Sequence, residues 1–482
     1  MDELKKQTTK SFAWNFLDKV GYQVISLLVG LVTLRLLSPT DFGYTGALAV
    51  FTMLSNILVE SGFTAALIRK KENSNKDYTA AFWFNLLLSV VLYGILFVSS
   101  PSIANYFENY DKPLLSTLAR VLFLAIIVNS FTIVQNIILQ KELQFKKLTI
   151  ANLSGMVISG VITIWMAAKG YGYWALAAQQ ISQLVVKAVL LWIMSKWRPV
   201  SITWSDFAII KELFSFSAVL ILSSGITTIV RYIYNIFIGP RCSTEEMGYY
   251  SQGYKYHMVM HSIVSSSISG VAYPVLAKLN EEPDRQMLYI HKIVKMTAFI
   301  TFPMMAGFYA LADNFVHVIV TDKWLPMVPL LRLLLIGGTT IPFTTLYINL
   351  FNVFGKPVLN FLTELGRNIL IIILLLLMND TITEILYGYI ISSMIAMLFA
   401  SIVLKYVTGY KILKQLCHIL PALAISLVMA AVVYYIPTMM EGKAWLQMLV
   451  QLAAGGLVYL GLAKLFRFQI LDDIICTLRK SK

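Results

Sequence analysis

The chain has 482 residues, 58% of them hydrophobic and only 13% charged, with a formal net charge of +14. Soluble domains carry about 25% charged residues, so this composition excludes a soluble globular protein and points to one immersed in lipid. The surplus cations cluster at the edges of apolar stretches rather than on a soluble face, which removes nucleic acid as the partner that such a charge would suggest. Three scattered cysteines, Cys242, Cys417 and Cys476, form neither a disulfide framework nor a metal-binding spacing.

The opening MDELKKQTTKSFAWNF lacks a short apolar core with a small-residue cleavage site. The apolar stretch that follows runs to Leu37 and reads as a retained first helix. A membrane span needs about 20 predominantly apolar residues. On that measure the chain carries about fourteen spans, at 12–37, 42–67, 78–100, 114–139, 148–168, 172–195, 213–238, 249–277, 291–312, 327–353, 357–378, 383–404, 412–436 and 444–466. Loop charge tests the layout. With the amino terminus inside, the inner segments hold twenty-five Lys and Arg and the outer loops only Lys112, Lys169, Arg241, Lys323 and Lys443. That asymmetry satisfies the positive-inside rule and predicts cytoplasmic termini, with Cys242 outside and open to an impermeant thiol reagent.

The longest loop, between the sixth and seventh spans, divides the chain. The expected domains are an N-lobe at 1–200, a C-lobe at 201–410, accessory helices at 411–468 and a cytoplasmic tail at 469–482. The halves echo each other: Phe42-Gly43-Tyr44 opens the second span and Met247-Gly248-Tyr249 the eighth, while Pro113-Leu114-Leu115 opens the fourth and Pro329-Leu330-Leu331 lies near the start of the tenth. Six helices per half is an even number, so the repeats are parallel about an axis along the membrane normal. The fold class expected is all-α integral membrane: two six-helix lobes around a central cavity, plus two C-terminal helices.

Polar residues recur at helical spacing on four spans. The first carries Asn15, Asp18, Tyr22, Ser26, Gly30 and Thr33; the second Thr52, Asn56 and Glu60; the seventh Ser224, Thr228, Arg231 and Asn235. The eighth is the most polar, with Ser251, Gln252, Lys255, His257, His261 and a run of serines. Hydroxyls in membrane helices commonly bond their own backbone or a neighbouring helix, but that does not account for the charges on the same stripes. These four helices occupy matching places in the two halves, so their polar faces are expected to meet around the cavity.

Apart from Lys292, Lys414 and Lys464 at the inner rim, nine cations lie inside spans: Lys19, Arg35, Arg120, Lys187, Arg231, Lys255, Lys295, Arg332 and Arg367. Beyond a span's first turn only Asp18, Glu60 and Glu364 oppose them. A Lys or Arg facing lipid at mid-bilayer costs about 2.5–3.5 kcal/mol, so these side chains snorkel, pair or line a wet cavity. Lys19, Arg35, Lys295 and Arg332 sit near an edge, where snorkelling suffices. Arg120 and Lys255 lie roughly 10 Å deep, and Lys187, Arg231 and Glu60 roughly 12–13 Å. We take Arg120, Arg231, Lys255, Lys187 and Arg35 as candidate anion-binding residues, with Glu60 and Asp18 as candidates for ion coupling. Asn56, Asn235, His257 and His261 are the candidate cavity-lining residues. Glu364 and Arg367, three apart, either neutralise each other or face substrate. His257 and His261, four apart, lack the third ligand that a metal site needs, which leaves cavity lining, a proton relay or interhelical hydrogen bonding. Glu60 either titrates or pairs with Lys19 or Arg35. Within the last two spans the stretches ILPALAISLVMAAVVYYIP and AWLQMLVQLAAGGLVYLGLA carry no charge, which suits lipid-facing packing or a groove for an acyl or prenyl chain.

The stretch LVTLRLLSPTDFGYTGALAVFTMLSNILVESGFTAALIRKK resembles the opening of the polysaccharide transporter family, within the multidrug/oligosaccharidyl-lipid/polysaccharide exporter superfamily. AAFWFNLLLSVVL, ILQKELQFKKL, GYWALAAQQ, EEMGYYSQGYKY, VAYPVLAKL and DKWLPMVPLLRLL extend the resemblance over nearly the whole chain, in order. It is most similar to Wzx-type and colanic-acid-exporter-like flippases. The resemblance implies two six-helix lobes plus two helices, alternating access, and a lipid-pyrophosphate-linked glycan as substrate. In the family's signature Arg35 is followed by Pro39, Asp41 and Gly43, a set that reads as chiefly structural. Relatives often carry an Asp in the seventh helix where RYIYNIFIG places Tyr234, which puts coupling through that position in doubt.

The function expected is therefore a flippase in the bacterial cytoplasmic (inner) membrane, moving a polyprenyl-pyrophosphate-linked oligosaccharide outward for surface polysaccharide or lipopolysaccharide biosynthesis. Its partners would be that anionic glycan, membrane lipids, and a proton or monovalent cation. No catalytic residue, metal or cofactor is expected. No GxxxxGK[ST] loop occurs, so the energy comes from an ion gradient or the membrane potential. The rivals are an ion-coupled multidrug exporter, which would need an acidic cavity for cationic drugs, and a membrane glycosyltransferase or polymerase, which would need carboxylates in a sizeable loop.

Overall fold

Inside hydrocarbon a backbone N–H or C=O has no water to bond, so a spanning chain must satisfy both groups within itself. The computed structural model describes residues 2–70, 73–201, 209–211, 225, 228–229, 232–278, 282–378, 380–440, 442–468 and 470–471, except the side chains at 2–9, 12, 60–63, 65, 266–275, 277–278, 283 and 357. Among these residues all regular structure is helical. The helices are α1 (Asp2–Leu36), α2 (Pro39–Arg69), α3 (Asn75–Tyr106), α4 (Lys112–Lys141), α5 (Phe145–Ala168), α6 (Tyr173–Met194) and α7 (Thr244–Lys278). They continue with α8 (Pro283–Phe315), α9 (Met327–Gly338), α10 (Ile341–Val353), α11 (Pro357–Leu377), α12 (Ile382–Thr408), α13 (Ile412–Met439) and α14 (Ala444–Leu465).

Among the described residues twelve stretches are long and apolar enough to cross a membrane, each matching an expected span. The chain is a multi-pass, all-α membrane protein. Of the two other expected spans, the seventh falls largely outside the described residues, which include its helical end at 232–238. The eighth is α7, a 35-residue helix whose side chains at 266–275 and 277–278 lie outside the described ones. One expected span, 327–353, is two helices, α9 and α10, with a break at Thr339 and Thr340 before Pro342.

Helix starts are fixed by side chains that take up the orphan N–H groups of the first turn. Ser38 and Asp41 form a reciprocal capping box at α2, and Ser74 and Asp77 form another at α3. At α7 the Ser243 hydroxyl accepts from the Glu246 N–H at 3.2 Å while Glu246 accepts from the Ser243 N–H at 2.9 Å. At the far end of α2, Lys141 donates to the carbonyls of Leu67 and Lys70, placing a cation at the negative pole of the helix.

By packing, the chain divides into two compact units, residues 1–248 and 249–482. The expected boundary at 200/201 adjoins residues 202–208, which lie outside the described ones. In the first unit α4 is the most enclosed helix, packed by α2, α3 and α6, while α5 fills the space between α1 and α6. In the second, α13 lies along α8, and α14 packs on both. Tyr459 of α14 donates to the Phe299 carbonyl at 2.7 Å, so the two C-terminal helices are integral to this unit.

The Gly-Tyr echoes turn out to touch. A Cβ on Gly43 would overlap the carbonyl oxygen of Thr244, and a Cβ on Gly248 would overlap that of Pro39. Each glycine thus meets the carbonyl four residues before the other, so the starts of α2 and α7 cross backbone to backbone in a local two-fold arrangement. Neither carbonyl can move aside as a side chain would. Gly43→Ala and Gly248→Ala are each expected to destabilise the protein by about 1–3 kcal/mol, as overpacking does. Gly94→Ala, whose Cβ would meet nothing within 4 Å, should be neutral or slightly stabilising. Thermal unfolding in detergent measures all three.

Cys242, expected to be open to reagent, is only 3% exposed. Burial, with the nearby Glu246 carboxylate adding to it, pushes its thiol up to about 12. The thiolate is the reactive form, so accessibility and charge both protect this cysteine. Cys417 is exposed, and Cys476 lies outside the described residues. A maleimide is expected to modify Cys417 and spare Cys242 in the folded protein from pH 7 to 9, as peptide mapping of the adduct would show. Rapid modification of Cys242 would mean that its loop is not packed.

Candidate functional site

Within the first unit a polar patch forms where α1, α5 and α6 meet. Asp18 of α1 accepts from Asn152 Nδ2 of α5 at 3.0 Å. Its other oxygen is buried and takes no hydrogen bond from the described residues, leaving the carboxylate one unsatisfied acceptor. One turn along α1, the Tyr22 hydroxyl accepts from Gln183 Nε2 of α6 at 3.1 Å. Gly155 of α5 lets the α6 backbone approach: a Cβ there would lie 2.9 Å from the Gln183 carbonyl and 3.7 Å from Lys187 Cβ. Asp18, Tyr22, Asn152, Gln183 and Lys187 therefore share one patch. Asn152 and Gln183 were missed in the sequence, although a lone amide inside an apolar run is a readable signal.

Between α2 and α4, Asn129 Nδ2 donates to Asn56 Oδ1 at 3.2 Å. Arg120 points elsewhere. Nine residues from Asn129, about half a helical revolution out of phase, its Nε donates to Ser100 of α3 at 2.8 Å, and its guanidinium lies 4.5 Å over the Phe97 ring. Arg35 is exposed at the end of α1. Asn235 is buried and its amide donates to the Gly46 carbonyl at 3.5 Å. Tyr234, standing where relatives often carry an Asp, is buried as well. Arg231 and the side chain of Glu60 lie outside the described residues.

In the second unit α7 presents two unlike faces. His257 is fully buried, with Nε2 3.2 Å from the Tyr389 hydroxyl of α12 and its ring against Gly338 at the end of α9. It is part of the packing rather than an accessible wall. His261 bonds Ser265 on its own helix at 3.1 Å. No group of three metal-ligating side chains occurs among the described residues. Lys255 projects from another face, two residues and some 200° from His257. It is exposed and has no hydrogen bond or ion pair among the described residues; Ser262, one heptad on, is exposed on the same stripe.

Two other cations of this unit, Arg367 and Arg332, are neutralised locally. Arg367 donates to Glu364 at 2.6 Å. Arg332 pairs with Asp313 and lies over the rings of Tyr309 and Tyr434. An apolar groove of about 610 Å³ runs between α8, α13 and α14, past Gly307, Met429, Gly455 and Tyr459. A Cβ on Gly307 would lie 3.4 Å from Met429 and one on Gly455 3.1 Å from Val433, so these glycines let α8 and α14 close on α13 beside it.

The comparisons follow this geometry. The sequence pattern of the family described as "Polysaccharide biosynthesis protein" matches residues 32–329, more than half the chain. The chain is 25% identical over 351 residues to teichuronic acid biosynthesis protein TuaB of Bacillus subtilis (strain 168), covering 70% of this chain and 69% of that protein. It is 24% identical over 341 residues to lipopolysaccharide biosynthesis protein WzxC of Escherichia coli (strain K12), covering 70% and 68%. Among solved structures it superposes on the lipid II flippase MurJ in an inward closed conformation with a TM-score of 0.73 at 17% identity, covering 95% of this chain and 100% of that one. An inward-facing multidrug resistance MATE family transporter gives 0.60 at 16% identity, covering 80% and 96%. These likenesses fix the fold. From the matched pattern, the chain is a member of the polysaccharide biosynthesis protein family.

Proposed function

We propose that this protein is a flippase that carries a polyprenyl-pyrophosphate-linked oligosaccharide across the bacterial cytoplasmic membrane by alternating access. The observation that carries the reading is Lys255: an accessible cation, without an ion pair among the described residues, on a polar stripe of α7. A cation in that position attracts an anion, and the hydroxyl beside it suits a sugar. Relatives named for teichuronic acid and lipopolysaccharide biosynthesis agree with a glycan cargo, and the solved neighbour is itself a lipid II flippase. The apolar groove on α13 and α14 fits an isoprenoid chain, which needs only a greasy track while the head group crosses. An organic-cation exporter would be repelled by Lys255. A glycosyltransferase would need a carboxylate constellation, and the described acids in spans are engaged singly, by Asn152 and by Arg367.

Outward movement of a pyrophosphate is favoured by an inside-negative potential, by about 2.3 kcal/mol per charge per 100 mV. Arg231, Lys187 and Arg120 remain secondary candidates for the phosphates, and Asp18 and Glu60 for coupling to a proton or monovalent cation. Asp18 is the one whose surroundings support the role, through its unsatisfied oxygen.

Lys255→Ala is expected to weaken substrate binding about 10- to 100-fold, the worth of one charge-assisted hydrogen bond. It should abolish surface glycan while the protein still reaches the membrane, whereas Lys443→Ala should be silent. Full glycan export by the Lys255→Ala variant would sink the site. For coupling, Asp18→Asn keeps the Asn152 contact and removes titration. Transport in vesicles should then lose its dependence on an imposed pH or sodium gradient; an unchanged dependence, with the same result for Glu60→Gln, would exclude both acids. The proposed orientation puts residue 443 outside and both termini within the cytoplasm. In intact cells an impermeant thiol reagent should label Lys443→Cys and spare Cys417, and the reverse pattern would invert the topology.

A further inference from the structure

A second basic pocket lies in the second unit, apart from the groove and from Lys255. It occupies about 310 Å³ where α8, α13 and the chain leaving α14 converge. Lys295 comes from α8, Cys417 and His418 from α13, and Phe466, Arg467 and Phe468 from the turn after α14. Lys414 precedes His418 by one helical turn. None of Lys295, Lys414 and Arg467 has an ion pair among the described residues, and no described carboxylate lines the pocket.

The donors are arranged, not merely close. The Tyr410 hydroxyl lies 2.5 Å from His418 Nδ1. With that hydroxyl donating, the ring carries its proton on Nε2, so a neutral His418 still presents an N–H to the pocket. Arg467 has φ 51°, the left-handed conformation that a glycine usually takes just past a helix end. That turn sends the chain back over α8, where the Phe468 and Phe299 rings stand 6.1 Å apart. A charged side chain is thus held at a backbone position that disfavours it, beside an ammonium group and an imidazole. Apolar residues, Pro421, Ala422 and Ile470, supply the remainder of the wall.

We propose that this pocket binds the phosphate of an acidic glycerophospholipid, its glycerol and chains lying against the apolar wall. Lys295 and Arg467 supply charge and His418 a neutral donor; three donors around one tetrahedral anion match a phosphodiester. Basic pockets between membrane helices recognise lipid head groups in this way. The site does not rest on the transport reading, since it needs neither Lys255 nor a glycan.

Cys417, exposed on the pocket wall, is a built-in reporter. In the full chain carrying Cys476→Ser, maleimide modification of Cys417 is followed in detergent with phosphatidylglycerol, with phosphatidylcholine, or with inorganic phosphate. Phosphatidylglycerol at ten times its dissociation constant should slow the reaction roughly tenfold, by simple occupancy. Phosphatidylcholine and inorganic phosphate should not. Arg467→Gly, which keeps the left-handed turn, and Lys295→Gln should each abolish the protection, while Lys295→Arg should retain it. Equal protection by phosphatidylcholine would overturn the proposal, as would protection that survives in the Lys295→Gln, Arg467→Gly double variant. Protection by inorganic phosphate alone would make this a soluble-anion site and overturn the lipid assignment. If the double variant fails to fold, the three ligand arms on the unaltered pocket still decide.

Discussion

Hydrocarbon offers no partner for a backbone N–H or C=O, and each one left unmade costs several kcal/mol. From that constraint the rest of the architecture follows. Among the described residues the chain is helical wherever it crosses, and some helix ends are finished by side chains: Ser38 with Asp41, Ser74 with Asp77, Ser243 with Glu246, and Lys141 over the end of α2. Where regularity lapses, the lapse is enclosed. The break between α9 and α10 has Gly337 and Gly338 packed against Tyr389 and His257, and the Thr339 hydroxyl returns to the Ile336 carbonyl at 2.7 Å.

The same scarcity of polar partners sorts the charges. Glu364 with Arg367 and Asp313 with Arg332 remove two cations from any transport role, because each is matched on its own helix or the next. Arg120 is spent on Ser100 and the Phe97 ring. After this sorting, two charged groups on the polar stripes keep capacity to spare among the described residues. One is Lys255, a donor with no described acceptor. The other is Asp18, an acceptor holding only one donor. They belong to different units and have opposite charge.

Much of this was legible in the sequence because it follows from length and apolarity. Twelve spans emerge at their expected places, and the i, i+3 pairing of Glu364 with Arg367 needs only helical spacing. The capping boxes were equally readable, as Ser-x-x-Asp or Ser-x-x-Glu before an apolar run, but went unread. Rotation of a helix about its axis was not legible. Arg120 and Asn129 share a helix and face opposite neighbours, and His257 and Lys255 do likewise, because periodicity gives relative phase without saying which helix stands opposite. Burial of a loop was also hidden. Cys242 sits in a short connection, yet the Asn109 amide donates to its carbonyl at 3.5 Å and the segment is buried. The Gly43 and Gly248 echo suggested kinship between halves, and nothing in the pattern showed that the two glycines meet.

That crossing has a consequence for the protein's birth. Gly43 and Pro39 are made early, whereas Thr244 and Gly248 follow some two hundred residues later. At ribosomal rates of about 5–20 residues per second, the start of α2 waits roughly 10–40 s for the backbone it will lie against. During that interval a helix face bared to its own carbonyls stands in the bilayer, free to be met by a glycine-rich stretch of some other nascent chain. The assembly of this protein is thus most exposed to error before α7, its eighth span, is synthesised, and insertion chaperones that shield small-residue faces would act on it in that window.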